Sequence, residues 1–161
     1  MVTPDASEAW LQPIYDAVVA DVAQSGYFDS VNAAEPKHLP GGKGLTASVW
    51  VQGIAPIGEL SGLDCTAARV TFIVRMFANM VTYAPDMLDP TLLRATSNLI
   101  RRYHGDFDFG GIIRNVDLLG AFGIKLESIS GYYAQDNTTW RVVDITVPCV
   151  VVDVWPQVTS P

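Results

Sequence analysis

An alternation of period two running from Thr66 to about Phe77 restricts the fold of this chain more than any other stretch. Ala68, Val70, Phe72, Val74 and Met76 fall on one side of it, and Arg69, Thr71, Ile73, Arg75 and Phe77 on the other. Successive side chains of a strand point to opposite faces, so an alternation with one wholly apolar side reads as a strand laid on a core. A shorter alternation precedes it, with Leu45, Ala47, Val49 and Val51 interleaved with Thr46, Ser48, Trp50 and Gln52. Gly53 to Asp64 carries further glycines and Pro56, which predicts a long excursion between the two strands. Downstream, Lys125 to Ala134 and Thr139 to about Val154 bracket Gln135-Asp136-Asn137-Thr138, the pattern of a long hairpin. Pro148 cannot donate to a ladder, so it predicts an edge or a bulge in the returning strand. It also interrupts the sticky run Val147 to Val154. A short strand, Ile112 to Leu118, is expected between Gly110-Gly111 and the chain breaks at Gly120 and Gly123.

Two segments carry the helical period instead. Trp10, Ile14, Val18 and Val22 recur every fourth residue, flanked by Leu11, Tyr15 and Val19. Pro13 is tolerated only in a first turn, so this helix is expected to start near Ala9, with Gly26 as its stop. Tyr27 to Ala34 admits a short edge strand, and Glu35 to Gly44 reads as a loop. Asp89-Pro90 predicts the start of the second helix, an N-cap followed by proline at the first helical position. Leu92, Leu93, Thr96, Leu99, Ile100 and Tyr103 form its expected apolar face. Arg101, Arg102 and His104 sit in its last turn, where cations favour the helix dipole, and Gly105 ends it. The order of helices and strands predicts an α+β fold, a single domain over residues 1–161 with two helices packed on one face of a mainly antiparallel sheet.

A chain of 161 residues buries roughly 70% of its unfolded surface, enough for a core without staples. Charged residues make up only 17% and hydrophobic ones 49%, which excludes disorder and suggests surface covered by partners. The formal charge of −7 argues against tight gripping of nucleic acid. No apolar run is long enough to span a membrane, and the start Met1-Val2-Thr3-Pro4-Asp5 lacks the pattern of a signal peptide. The expected site of synthesis is a reducing cytoplasm, and the expected residence is there or in a particle assembled there.

Candidate chemistry is sparse. His38 lies in a glycine-proline loop and His104 at a helix end, neither beside a recognisable nucleophile. Asp106 and Asp108 alternate with Phe107 and Phe109, too few acids for a hydrolase pair or a hard-metal site. Gly110-Gly111 and Gly41-Gly42-Lys43-Gly44 miss the phosphate-binding spacing and read as turns. Cys65 and Cys149 read as small buried hydrophobes. Arg69 and Arg75 share the strand face with Thr71, Ile73 and Phe77, a mixture found equally on solvated faces and on subunit contacts. No catalytic residue, metal ligand or cofactor is assigned.

The order of several short motifs carries a resemblance. It begins with Trp10, Pro13 and Tyr15-Asp16-Ala17, then Gly26-Tyr27-Phe28-Asp29-Ser30-Val31-Asn32 and Glu35-Pro36-Lys37. Ala68-Arg69-Val70, Asp89-Pro90 and Tyr103-His104-Gly105-Asp106-Phe107 follow. The series closes with Arg114-Asn115-Val116-Asp117-Leu118-Leu119-Gly120-Ala121 and Asp153-Val154-Trp155-Pro156-Gln157. Together, over nearly the whole chain, these resemble the tail terminator proteins of long-tailed, siphovirus-type bacteriophages, especially those infecting actinobacteria. The resemblance implies a non-enzymatic virion protein whose subunits form a homo-hexameric ring. It implies that the ring caps the tail tube, stops its elongation and offers a surface for head–tail joining. The implied partners are other copies of the chain, the major tail tube protein and a head–tail connector protein, with DNA passing through unbound and no membrane involved. The implied location is the head-proximal end of the virion tail, after synthesis in the bacterial host cytoplasm.

Under that reading Trp50, Arg69, Arg75 and Trp155 are candidates for the subunit interface. Arg114, Asn115, Asp117 and Gly120 mark a candidate functional loop, since a polar, turn-rich stretch between strands has no core reason to be so distinctive. Asp106, Asp108, Asp117 and Asp136 form the pool of candidate channel acids, which would repel DNA phosphates. Two alternatives stand beside it. One is a head–tail connector or tail-completion subunit. The other is a small-ligand-binding or hydrolytic α+β domain, for which a deep pocket lined by Phe72, Trp50 and an acid–base pair would speak.

Overall fold

A computed structural model describes residues 9–38 and 44–157. The Met1-Val2-Thr3-Pro4-Asp5 start and the Gly41-Gly42-Lys43 stretch lie outside the described residues. The elements in chain order are α1 (Leu11–Gln24), β1 (Ser30–Asn32), β2 (Thr46–Ile57), β3 (Cys65–Asn79), α2 (Pro85–Gly105), β4 (Asn115–Val116), β5 (Glu127–Gln135) and β6 (Thr138–Pro156). The fold is α+β. Its sheet runs β1-β2-β3-β6-β4, with β5 also on β6. Every pairing is antiparallel except β1 with β2, which makes the sheet mixed rather than purely antiparallel.

Both helices lie on one face, because the apolar sides of three strands converge there. Ala47 and Val49 of β2, Val70, Phe72, Val74 and Met76 of β3, and Val143, Ile145, Val147 and Cys149 of β6 form one buried cluster. Ile14, Val18 and Val22 of α1 join it, as do Leu88, Leu92, Ala95, Leu99 and Tyr103 of α2. Tyr15 stacks on Phe72 with ring centroids 5.8 Å apart, and its hydroxyl donates to the carbonyl of Val49 at 2.8 Å. The side of β3 that carries Thr71, Ile73 and Phe77 is buried too, so the sheet is covered on both faces along this strand. α1 stops where Gly26 takes a φ of +80°, a conformation that other residues adopt only at a cost.

Several expectations are corrected. Gly53 to Asp64 is not an excursion throughout, since β2 continues to Ile57 in register with β3. An extra residue at Gln52 shifts the register between Val51 and Gly53, and this bulge lets the strand absorb the glycine. α2 begins at Pro85 rather than at Asp89-Pro90. The N-terminal proline logic holds, but at the earlier proline, because Leu88 is the first buried residue of the stripe. Pro90 then sits inside the helix on an exposed side, where the unmatched carbonyl of Asp86 meets water. Leu93, expected on the apolar face, is exposed. The strand expected over Ile112 to Leu118 shrinks to two residues.

Pro148 lies on β6, an interior strand of the sheet, not on an edge, and the bulge in β6 is further on. The register shift falls between Thr66 and Ala68 of β3, opposite residues 152–154, where Asp153 has a φ of +56°. The proline is tolerated because its absent N–H falls in a gap. β5 ends opposite Thr146 and β4 begins opposite Cys149, while the carbonyl of Pro148 accepts from the Asp117 N–H at 2.9 Å.

The β5–β6 hairpin turns on Asp136 and Asn137, whose φ values of +51° and +62° fit a two-residue type I′ turn. Asn137→Val should lower stability by about 1–2 kcal/mol, because a β-branched residue is strained at positive φ. Asn137→Gly should not, and urea unfolding of the two variants checks this.

Burial raises the ionisation of the Cys149 thiol well above its ordinary value of 9.0, and that of the Tyr103 hydroxyl above 10.0. The folded chain therefore keeps both protons where the unfolded chain loses them. Their contribution to stability is full below pH 9 and falls as pH rises, by up to about 1.4 kcal/mol per pH unit for each group. Melting temperatures measured across this alkaline range should fall, and Cys149→Ala should make the fall shallower.

Candidate functional site

The face of the sheet turned away from the helices holds a bidentate ion pair. Arg75 on β3 stands directly opposite Asp144 on β6. Its Nε and Nη2 donate to the two carboxylate oxygens at 2.6 and 2.7 Å, a bidentate pair. The guanidinium also lies 5.2 Å from the ring centre of Trp50 on β2. The hydrogen bonds that Arg75 donates to Asp144 hold its pKa above the usual range, against the opposing effect of burial. Beside this pair is a cleft of about 50 Å³ lined by Glu35, Pro36, His38, Phe77, Tyr133 and Gln135 with Arg75.

The four candidate interface residues do not form one patch. Trp50 and Arg75 meet. Arg69 is six residues down β3, roughly 20 Å away along an extended strand. It is only half-exposed, and its Nη1 donates to the carbonyl of Phe122, tying strand to loop. Trp155 packs edge-on against Trp10, with centroids 6.0 Å apart, so it fastens the end of β6 to the entry of α1.

The candidate loop is organised by a single side chain. Asp117 is 3% exposed, and its carboxylate accepts from the backbone N–H groups of Gly120, Ala121 and Phe122 at 2.8–3.0 Å. Its own carbonyl accepts from Leu126. Gly120, at φ +82°, would bring a Cβ to 3.1 Å from that of Lys125, so the turn needs glycine twice over. Asn115 bonds the carbonyl of Val116, and Arg114 is exposed with its guanidinium 5.9 Å from the Phe122 ring centre. This corrects the reading of Asp117 as a channel acid, because a carboxylate consumed by three backbone donors lines no lumen.

The remaining acids are dispersed. Asp106 is exposed and accepts from the Gly110 N–H, Asp108 is half-buried, and Asp136 is exposed at the hairpin tip. The carbonyl of Phe107 bonds Val116, which lies opposite Cys149, whereas the tip joins β6 at Thr138. These points stand roughly 35 Å apart along β6, at opposite ends of the sheet. His104 is exposed, with Nδ1 2.8 Å from the carbonyl of Ile100, a helix-end contact. Phe72 and Trp50 face opposite sides of the sheet, so no pocket is lined by both.

Sequence reasoning missed two grooves. One, about 250 Å³, lies between α1 and the far half of β2, lined by Leu11, Gln12, Tyr15, Val51, Ile54, Val70 and Phe72. The bulge at Gln52 creates it by turning Val51 and Ile54 to the same side, a feature no alternation pattern announces. The other, about 330 Å³, follows α2 past Tyr27, Leu93, Arg94, Ser97, Asn98 and Arg101. Its signal was the helical spacing of Arg94, Ser97 and Arg101. Among the described residues no cluster of three or more His, Cys, Asp or Glu is placed to hold a metal, and no helix is long and apolar enough to cross a membrane.

Set against models of known protein families and against curated proteins, the chain matches none. The fold and site define an α+β domain whose most ordered polar groups serve its own architecture.

Asp117→Ala should lower stability by about 2–3 kcal/mol, since it strands three backbone donors at once. Asp117→Asn should cost less, because its amide oxygen still accepts. Denaturant titration together with amide exchange at Gly120, Ala121 and Phe122 reads both effects. A neutral Asp117→Ala would remove the carboxylate from its organising role.

Proposed function

We propose that the chain is a structural subunit of a ring that caps the tail tube of a long-tailed bacteriophage, ends its elongation and receives the head. The observation that carries this reading is where the charge and the exposed apolar area lie. Arg75 is paired with Asp144, Asp21 with Arg102, Asp89 with Arg141, and Asp117 is consumed by backbone. Meanwhile Val51, Ile54, Ile129, Tyr132 and Tyr133 stand exposed along the flanks of the sheet. Polar groups committed internally and apolar groups offered outward suit a protein that binds other chains better than one that turns over a substrate. The ordered motif series from Trp10 to Gln157 supports the tail reading in particular. A head–tail connector subunit is the second reading, on the same motifs and charge.

The ring partners would be further copies of the chain, with the tube protein below and a connector above, in a virion built in the host cytoplasm. An excess of seven negative charges per subunit suits a conduit that DNA traverses without sticking. Electron micrographs and native mass spectra of the purified chain should show hexameric rings, and adding it to polymerising tube protein should arrest tube length. A dodecamer would favour the connector, and monomers with no effect on tube length would overturn both. Double-stranded DNA should not be retained at about 0.15 M salt, where surface charges act over roughly 8 Å.

A further inference from the structure

The loop between β4 and β5 is a fixed mount. At its root the Asp117 N–H donates to the Pro148 carbonyl at 2.9 Å, and at its far end Leu126 donates to the Asp117 carbonyl. The Asp117 carboxylate holds the N–H groups of Gly120, Ala121 and Phe122, and Arg69 of β3 grips the Phe122 carbonyl. All these bonds are internal. Yet between Asp117 and Gly120 they present Leu119 with 89% of its surface bare, while Leu118 beside it packs on the core. A bare leucine on a loose loop is ordinary. At the tip of a loop with this many backbone anchors, it is a contact whose ordering cost is already met.

The opposite flank of the sheet offers a recess. Leu11 and Tyr15 of α1, with Val51, Ile54, Val70 and Phe72 of β2 and β3, wall the apolar groove of about 250 Å³, and Val51 and Ile54 are nearly half exposed. This size suits a side chain rather than a cofactor, for which pockets of roughly 300–1,000 Å³ are usual. The flank is no ladder for an added strand. Tyr15 takes the Val49 carbonyl, the bulge at Gln52 breaks the register, and Pro56 has no N–H.

Knob and groove stand at the same height. Ile54 pairs with Val70, Val70 with Cys149 and Cys149 with Val116, one continuous row across β2, β3, β6 and β4. The row covers three strand spacings, roughly 14 Å. Ile54 marks the groove at one end, and Leu119 follows shortly after Val116 at the other. Opposite charges flank the two. Beside the knob, exposed Arg114 has its guanidinium 5.9 Å from the Phe122 ring centre. Beside the groove, exposed Asp16 accepts from the Gln12 amide at 2.8 Å. Neither makes an ion pair among the described residues.

We infer that Leu119 of one copy seats in the α1–β2 groove of the next copy, with Arg114 of the first against Asp16 of the second. The occupant is a second copy because one chain carries both halves of the contact, apolar and ionic, on opposite flanks of one row of its sheet. A sideways step of the subunit brings them together. A foreign side chain would fill the groove and leave Leu119 bare. Contact between unlike flanks is head-to-tail, and it closes into a ring when its rotation permits. The inference deepens the ring reading and rests on it, and it moves the subunit contact from Arg75 and Trp155 to the two flanks.

Native mass spectrometry of the full chain over a dilution series, together with cross-linking, tests it. Leu119→Asp takes nothing from the core, so the monomer should melt as wild type does while the concentration for half-assembly rises about tenfold or more. Arg114→Glu should weaken assembly in the same direction, and Asp16→Arg added to it should restore most of the loss. Cys65→Ser leaves only the buried Cys149 as a native thiol. In that background a Leu119→Cys chain mixed with an Ile54→Cys chain should join through a short bismaleimide, and neither should join alone. If Ile54→Cys fails to fold, Leu119→Asp and the charge exchange still decide. Rings that Leu119→Asp and Arg114→Glu leave undiminished overturn the seating while the ring reading stands. Joining of Leu119→Cys chains to each other overturns the head-to-tail contact. Intact Leu119→Asp rings that no longer arrest tube protein give the leucine to the tube, and overturn the second copy as its occupant. Wild-type monomers at every concentration overturn both readings.

Discussion

β6 holds this molecule together through hydrogen bonds on both of its sides. Over its 19 residues it pairs with β3 along one flank and with β5 and then β4 along the other. Its apolar positions Val143, Ile145, Val147 and Cys149 also floor the core beneath α2. A strand satisfied on both sides and buried on its inner face leaves almost no backbone group wet, which is why a run so rich in valine is safe there. The one residue that cannot donate, Pro148, sits where the flanking strands hand over from one to the other.

Much of this was legible because the alternations of β2, β3 and the hairpin are clean, and because Gly26, Asp136 and Asn137 punctuate them by known chemistry. The helices were legible from their stripes, with Ile14, Val18 and Val22 in α1 and Leu92, Leu99 and Tyr103 in α2 all buried. What escaped depends on non-local competition. Pro85 and Pro90 are equally good helix starts locally, and only the burial of Leu88 against the sheet chooses between them. Gly53 and Pro56 look like loop residues, yet β3 offers a ladder long enough to hold them in a strand.

The candidate site was legible in part. The Arg75 face was singled out, but its bidentate partner Asp144 is 69 residues distant, and no spacing rule joins them. The turn-rich loop was singled out as well, though the reason for its distinctness is internal. Asp117 organises three amides, and Gly120 takes a conformation that few residues share. Polarity in a loop therefore marked architecture here, as polarity on the sheet face marked an ion pair.

The place of β6 in the sheet also bears on how the chain is made. β6, paired on both of its sides, is the last of the six strands to leave the ribosome. Until it emerges, β3 has an open side and α2 has no complete floor, so the earlier strands wait as a nascent hairpin with uncovered apolar faces. Contacts that join residues so far apart in sequence form slowly, and the waiting state is the one most exposed to unwanted association. Synthesis of β6 thus acts as a timer, closing the subunit only after every other strand has been translated.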